Sequence, residues 1–135
     1  MKELLLTVDV TCTDSIGVKG SETEVVMVPF TGKAFGEYFS GETAGVGVDT
    51  QKFDLKTGAG TLSARYMLRG TDREGCPCSI FIENSVHDEA GWHPFLVTDS
   101  KCLSEWERLP LTATVEGTDK GVTVRIYSEC APPLK

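Results

Sequence analysis

The stretch TLSARYMLRGTDREGCPCSIFIENSV, residues 61–86, contains two runs in which every second residue is apolar. The turn-forming segment TDREG, residues 71–75, separates the two runs. Strict alternation is typical of a strand with one buried face, and a short Gly- and Asp-containing segment between two such runs predicts a β-hairpin. The predicted inward faces carry Leu62, Ala64, Tyr66 and Leu68, then Cys78, Ile80, Ile82 and Val86.

The same alternation continues along the chain and predicts an all-β protein. We expect a single closed antiparallel β-barrel of about eight or nine strands over residues 1–130, followed by a tail at 131–135. A sandwich is the alternative, but long strands linked by hairpins favour a barrel, which leaves no open edges. One short helix is expected near 100–107, with Ser100 as its cap. The nine predicted strands are 4–12, 22–30, 34–42, 45–54, 61–70, 78–86, 94–99, 111–116 and 122–129.

Length, charge and cysteine content narrow the class of protein. A chain of 135 residues fits one domain, and a formal net charge of −7 disfavours nucleic acid and anionic membranes as partners. The first ten residues lack signal-peptide features, and no apolar run reaches the roughly 20 residues that span a bilayer, so we expect a cytoplasmic protein.

Five cysteines without a secretion signal indicate free thiols. We expect Cys78 to pack inward and Cys76 to lie near a turn, in preference to a metal or redox site.

Several polar residues interrupt otherwise apolar strand faces. Asp49 and Gln51 share a face with Phe53, Tyr66 and Asn84 lie on the inward faces described above, and Glu37 lies between Phe35 and Phe39. If these faces point into a barrel, burial of the polar groups costs several kcal/mol without partners. A lumen that keeps them is wet, internally hydrogen-bonded or built for a ligand. In the competing interpretation Asp49 and Gln51 face solvent, and Val46, Val48 and Thr50 face the core. Alternation alone favours neither, because Phe53 supports the first and the two valines support the second.

Other polar residues are weaker candidates for a site. Arg65 and Glu83 fall on the outward register and could pair across the hairpin. The segment His87-Asp88-Glu89 could bind a metal, but an exposed polar loop is the preferred interpretation. His93 at the barrel rim could act as a general acid or base. The chain carries no nucleotide-binding or hydrolase motif, and we predict no cofactor and no metal.

Taken in order, three segments resemble the domain of unknown function 3237 family, also called uncharacterised protein family 0311. They are GVGVDTQKFD (45–54), LSARYMLRGTDREGCPCSIFIENS (62–85) and HPFLVTDS (93–100), and the similarity runs from about residue 30 to 128. The chain departs from the family pattern at Arg73-Glu74 in the hairpin turn and at Cys76-Pro-Cys78. The matching positions are Gly47, Asp49, Gln51, Arg65, Tyr66, Thr71, Asp72, Gly75, Asn84, Pro94, Phe95 and Thr98.

The resemblance implies a compact antiparallel barrel of the lipocalin or allene-oxide-cyclase type that often self-associates and has no established activity. It also places Asp49, Gln51, Tyr66 and Asn84 on motif positions of adjacent strands, and this favours the interpretation in which they face the lumen.

We therefore predict a site for a small apolar or aromatic molecule in the barrel, which could serve cofactor-free isomerase, cyclase or lyase chemistry. Asp49 or Glu37 would be the general base, and Tyr66 would donate a hydrogen bond to a developing oxyanion. The predicted ligand contacts are Gln51, Asn84, Phe53, Phe35, Thr98 and His93.

Two alternatives remain open at this point. The first is a non-catalytic binding protein that uses the same pocket. The second is a structural or interaction module that forms a homo-oligomer through the outward-facing Met67, Phe81 and Tyr127.

Overall fold

The computed structural model describes residues 2–86 and 91–129. Within these ranges the chain forms ten strands and one 3-10 helix, which spans Ser104–Arg108. The strands are β1 (Glu3–Cys12), β2 (Ile16–Lys19), β3 (Thr23–Phe35), β4 (Phe39–Thr43), β5 (Gly47–Asp54), β6 (Gly60–Asp72), β7 (Pro77–Val86), β8 (Phe95–Thr98), β9 (Leu111–Gly117) and β10 (Gly121–Ser128).

Two pairs of short strands each occupy a single position in the sheet. β1 and β2 both pair with the same edge of the long strand β3, with residues 13–15 between them. β4 and β5 both lie between β3 and β6, with residues 44–46 between them. The ten described strands therefore occupy eight positions, which agrees with the predicted number. The sequence pattern did not predict β2 as a separate strand.

The antiparallel sheet closes into a barrel. The order around it is β8, β7, β6, β4, β3, β1, β10 and β9, and β5 takes the place of β4 farther along β3 and β6. The segment that precedes β8 reaches β9 at one bridge, where the backbone N–H of Ala113 donates to the carbonyl of Trp92 at 3.2 Å. The predicted all-β antiparallel barrel is confirmed.

One end of the barrel is solidly packed. Apolar side chains with 0–1% exposure fill it, among them Leu6, Leu68, Ile80 and Ile126. The 3-10 helix and the residue before it cover this end with Trp106 and Leu103. The hydroxyl of Ser100 donates to Asp72 (Oγ–Oδ2, 2.8 Å) and accepts the backbone N–H of Leu103. The predicted short helix is confirmed, although it begins at Ser104 and not at Ser100.

The predicted strand 34–42 is wrong in one respect. β3 continues to Phe35, the chain bends at residues 36–38, and β4 begins at Phe39. The bend breaks the alternation, so Phe39 is buried whereas Phe35 is 46% exposed. Glu37 lies in the bend, is largely exposed, and faces Arg73 at 3.5 Å (Oε2–Nη2). The prediction that Phe35 and Glu37 face the lumen is therefore incorrect.

The connections follow the predicted hairpins. Short turns join β5 to β6, β6 to β7 and β9 to β10 at the three predicted Gly-containing segments. In the second turn Gly75 has φ +82°, a conformation that glycine adopts without strain.

Cys78 is buried and Cys76 is exposed, as predicted. Across residues 2–86 and 91–129 we find no helix with the length and apolar character needed to cross a membrane.

Candidate functional site

The end of the barrel opposite the 3-10 helix contains a cavity of about 250 Å³. Its wall is mainly apolar, because the inward faces of β1, β3, β6, β9 and β10 carry aliphatic and aromatic side chains at this level. The apolar lining residues are Val10, Phe30, Leu62, Ala64, Trp92, Val115, Val122 and Val124. The polar lining residues are Cys12, Asp49, Gln51, Tyr66 and Asn84.

Most of the polar groups come from three adjacent strands. Asp49 of β5 lies directly opposite Ala64 of β6, and Ala64 lies directly opposite Asn84 of β7. Neighbouring strands are about 4.8 Å apart, so the Asp49 and Asn84 backbones are separated by roughly 10 Å. The small Ala64 side chain between them leaves a gap that opens into the cavity.

Tyr66 lies one row deeper on β6, and Gly47 makes room for it. A Cβ atom at Gly47 would lie 2.6 Å from the Phe30 ring and 2.7 Å from the Cβ atom of Tyr66. Without that atom, the Phe30 and Tyr66 rings pack edge to face with centroids 5.4 Å apart. This contact fixes the position of the Tyr66 ring in the cavity wall.

The Tyr66 hydroxyl is buried and unpaired. The side chain is 5% exposed, and its Oη atom has no hydrogen-bond partner among the described residues. Burial raises the pKa of Tyr66 above its ordinary value of 10.0 because the phenolate would be poorly solvated. The phenol therefore stays protonated at neutral pH and can donate a hydrogen bond.

Asn84, which lies in the same row as Asp49 and Ala64, provides a second unpaired group. It is 3% exposed, and its Oδ1 atom also has no partner among the described residues. Buried polar groups are nearly always hydrogen-bonded in native proteins, and each exception requires an explanation. Two such exceptions, Tyr66 Oη and Asn84 Oδ1, belong to residues that line one cavity.

Asp49 and Gln51 form a pair nearer the mouth. The amide Nε2 of Gln51 donates to Oδ2 of Asp49 at 3.0 Å, which orients the carboxylate. Cys12 also lines the cavity. Its pKa is raised, first by burial and second by the negative charge of Asp49, so the thiol stays protonated and is a poor nucleophile.

No metal site is evident in the described part of the chain, because no three side chains of His, Cys, Asp or Glu converge there. The segment His87-Asp88-Glu89 lies outside the described residues.

The structure decides between the two orientations of β5. Asp49 and Gln51 line the cavity, whereas Val48 and Thr50 lie on an outer groove of about 510 Å³. The interpretation in which Val48 and Thr50 face the core is therefore wrong. Of the predicted site residues, four come together at the cavity: Asp49, Gln51, Tyr66 and Asn84.

Three other predicted contacts lie elsewhere. Phe53 lies against Gly60 in a separate shallow depression at the far end of β5. The Thr98 hydroxyl donates to the Ser79 carbonyl at 2.8 Å, beyond the cavity lining. His93 is exposed, and its ring Nδ1 lies 3.4 Å from the carbonyl oxygen of Leu111.

Nine of the thirteen described lining residues were not predicted as site residues, among them Phe30, Cys12 and Trp92. Phe30 and Cys12 occupy the inward register near the ends of their strands, so continued alternation was the available signal. Trp92 precedes β8, and its position depends on the bridge to Ala113, which no local pattern reveals.

The outer surface bears out one predicted contact and defines an apolar patch. Arg65 pairs with Glu83 at 2.6 Å (Nε–Oε2), an exposed ion pair that contributes at most about 1 kcal/mol.

Met67 of β6, Phe81 of β7 and Val97 of β8 lie side by side on the outside. Met67 and Val97 are 41% and 42% exposed. Tyr127 belongs to a different part of the surface, where the ammonium of Lys2 lies over its ring.

The chain matches no protein-family model and resembles no curated protein in sequence. Its fold, however, is similar to that of a protein of unknown function from Clostridium acetobutylicum, with a TM-score of 0.77 and 20% identity over 95% of both chains. A β-barrel-like protein from Acinetobacter baumannii matches with a TM-score of 0.70 and 16% identity over 95% of this chain and 94% of that one. An enzyme from Penicillium herquei matches with a TM-score of 0.70 and 14% identity over 95% and 92% of the two chains. At these identities the similarity shows the fold alone, and the family resemblance stays a prediction.

Proposed function

We propose that this protein binds a small, largely apolar molecule in the barrel cavity. The observation that carries the proposal is the pair of unpartnered groups, Tyr66 Oη and Asn84 Oδ1, buried in an otherwise apolar wall. An unpaired buried polar group costs about 1–3 kcal/mol, which a purely structural barrel has no reason to retain. A bound ligand would supply the missing partners.

The size and lining of the cavity support a small organic ligand. A volume of about 250 Å³ corresponds to roughly eight waters at about 30 Å³ each. Eight of the thirteen lining residues are apolar, and few polar groups converge on one side. This combination is typical of ligand pockets, in which apolar walls supply affinity and a few polar groups fix orientation.

The same wall also offers the groups needed for proton transfer. Asp49 can accept a proton, and the protonated phenol of Tyr66 can stabilise negative charge that develops on a ligand oxygen. These roles would suit a cofactor-free isomerase, cyclase or lyase. One protein of this fold is described as an enzyme, but a shared fold does not carry an activity with it. A binding protein without chemistry remains the alternative.

A neutral fluorescent probe tests whether the cavity takes a ligand. We expect N-phenyl-1-naphthylamine to bind with enhanced emission, because its rings leave water for the apolar wall. Ala64→Phe should abolish binding by filling the gap between Asp49 and Asn84. Ser63→Phe is the matched control, since Ser63 is the adjacent residue on β6 but lines the outer groove. Equal binding by both variants, or no binding by the unmodified protein, would contradict the proposal.

The homo-oligomer and the cytoplasmic location stay predictions. If the chain self-associates through the patch of Met67, Phe81 and Val97, replacing Met67 with Glu should lower the molar mass measured by light scattering. An unchanged mass would exclude that patch as the contact.

A further inference from the structure

We infer that the ligand is a neutral molecule whose hydroxyl group binds between Tyr66 and Asn84, and that the cavity rejects carboxylates. This inference rests on the proposed function, because it names the chemical class that the same cavity would bind.

The hydroxyl follows from the two unpaired groups. On the inner face of the β6–β7 pair, Tyr66 is opposite Ile82, so Asn84 is its diagonal neighbour. Diagonal neighbours are about 7–8 Å apart at the backbone, a separation that aromatic and long side chains can span. The protonated Tyr66 hydroxyl needs an acceptor, and Asn84 Oδ1 needs a donor.

A hydroxyl is the smallest group that satisfies both requirements at once. It donates one hydrogen bond and accepts others, whereas a carbonyl only accepts and an ammonium only donates. This conclusion applies to the amide orientation in the structure, which leaves Oδ1 of Asn84 unpaired. With the NH₂ group in that position, a carbonyl oxygen could accept from both side chains.

The charged groups among the described lining residues disfavour an anion. Asp49 is the one charged residue among the described lining residues, and no Lys, Arg or His is among them. A carboxylate in this cavity would therefore be desolvated without a counter-charge and would face the negative charge of Asp49.

A cation is also disfavoured at depth. The two most buried polar side chains of the lining, Tyr66 and Asn84, are neutral and provide no counter-charge for a cation. The polar head of the ligand is therefore expected to be uncharged.

Four compounds that share one ring system test the inference by isothermal titration calorimetry near neutral pH. They are 2-naphthol, naphthalene, 2-naphthoate and 2-naphthylmethylammonium. We expect 2-naphthol to bind about tenfold more tightly than naphthalene or the ammonium compound, a difference of about 1.4 kcal/mol. We expect no detectable binding of 2-naphthoate.

Two variants locate the hydroxyl, and a third serves as control. Tyr66→Phe and Asn84→Leu should each lower the affinity for 2-naphthol to that for naphthalene and leave the affinity for naphthalene within about twofold. Tyr38→Phe makes the same chemical change beside Glu3 and Trp106 at the packed end and should alter neither affinity. A thermal melt of each variant verifies that it is folded.

The outcomes separate the inference from the proposed function. Equal affinity for 2-naphthol and naphthalene, or tighter binding of the naphthoate or the ammonium compound, would overturn the inferred ligand class while cavity binding stands. Failure of all four compounds and of the neutral fluorescent probe to bind would overturn the proposed function itself.

Discussion

Replacing Tyr66 with Phe should make the ligand-free protein more stable. The change removes one oxygen atom that is buried in the cavity wall and has no hydrogen-bond partner among the described residues. The ring remains, and so does its edge-to-face contact with Phe30. The unfolded chain hydrates the hydroxyl fully, whereas the folded chain does not, so the hydroxyl favours unfolding.

The magnitude follows from the desolvation of one hydroxyl. An unsatisfied buried group costs about 1–3 kcal/mol, and that cost disappears in the variant. With an unfolding entropy of about 2.1 cal/mol/K per residue, 135 residues give about 0.28 kcal/mol/K. The expected rise in Tm is therefore about 4–11 °C. Calorimetric melts and urea titrations of both proteins, without ligand, measure it directly.

Tyr38, at the packed end of the barrel, provides a matched control, because the same substitution there should lower the stability of the protein. The Tyr38 hydroxyl donates to a carboxylate oxygen of Glu3, and this hydrogen bond is the largest contribution that raises the pKa of Tyr38 to about 12. Tyr38→Phe should destabilise the protein by about 1–2 kcal/mol, because a hydrogen bond to a charged group is lost. If Tyr66→Phe lowers Tm as Tyr38→Phe does, the Tyr66 hydroxyl has a partner in the free protein and the reasoning for an unsatisfied site fails.

Three further predictions concern single positions. Gly47→Ala should destabilise the protein by about 1–3 kcal/mol in urea titrations, because its Cβ atom would overlap Tyr66; a neutral result would mean that the ring moves freely. Asp72 has a pKa below its ordinary 3.8, chiefly through the hydrogen bond from Ser100. Its ionised form therefore stabilises the fold above about pH 4, and this stabilisation is lost as pH falls through the lowered pKa. Asp72→Asn should be less stable at neutral pH and lose less stability on acidification. If the variant and the unmodified protein lost the same free energy of unfolding below pH 4, this prediction would be refuted. If the cavity is catalytic, Asp49→Asn should reduce protein-dependent deuterium exchange next to the carbonyl of 1-tetralone by about 10²–10⁴-fold, and exchange at the unmodified rate would exclude Asp49 as the base.

The fold was predictable where the chain keeps strict alternation. Residues 62–68 and 78–86 alternate without a bulge, and the β6–β7 register preserves that alternation along its length. The prediction failed where the backbone bends. Phe35 and Phe39 remain two periods apart in the sequence, yet the bend at residues 36–38 turns one outward and the other inward. A register shift between Leu4 and Leu6 likewise leaves Leu4 exposed. Alternation of residue types does not reveal such local changes of backbone direction.

The residue types of β5 do not show which face of the strand points into the barrel. The side chains that pack against β5 from the neighbouring strands determine it. The segment offers apolar side chains on both faces, Val46 and Val48 on one and Phe53 on the other, and a shift of one residue would exchange the faces. Gly47 determines the outcome, because the position between the Phe30 ring and the Tyr66 Cβ has no room for a side-chain carbon. Either neighbouring valine placed there would collide with both residues. The glycine must therefore face inward, and the alternation then turns Asp49 and Gln51 into the cavity. The packing of Phe30 and Tyr66 at the base of the cavity thus determines which side chains of β5 line its wall. The stability of the barrel and the polar lining of the cavity therefore both depend on the absence of a Cβ atom at position 47.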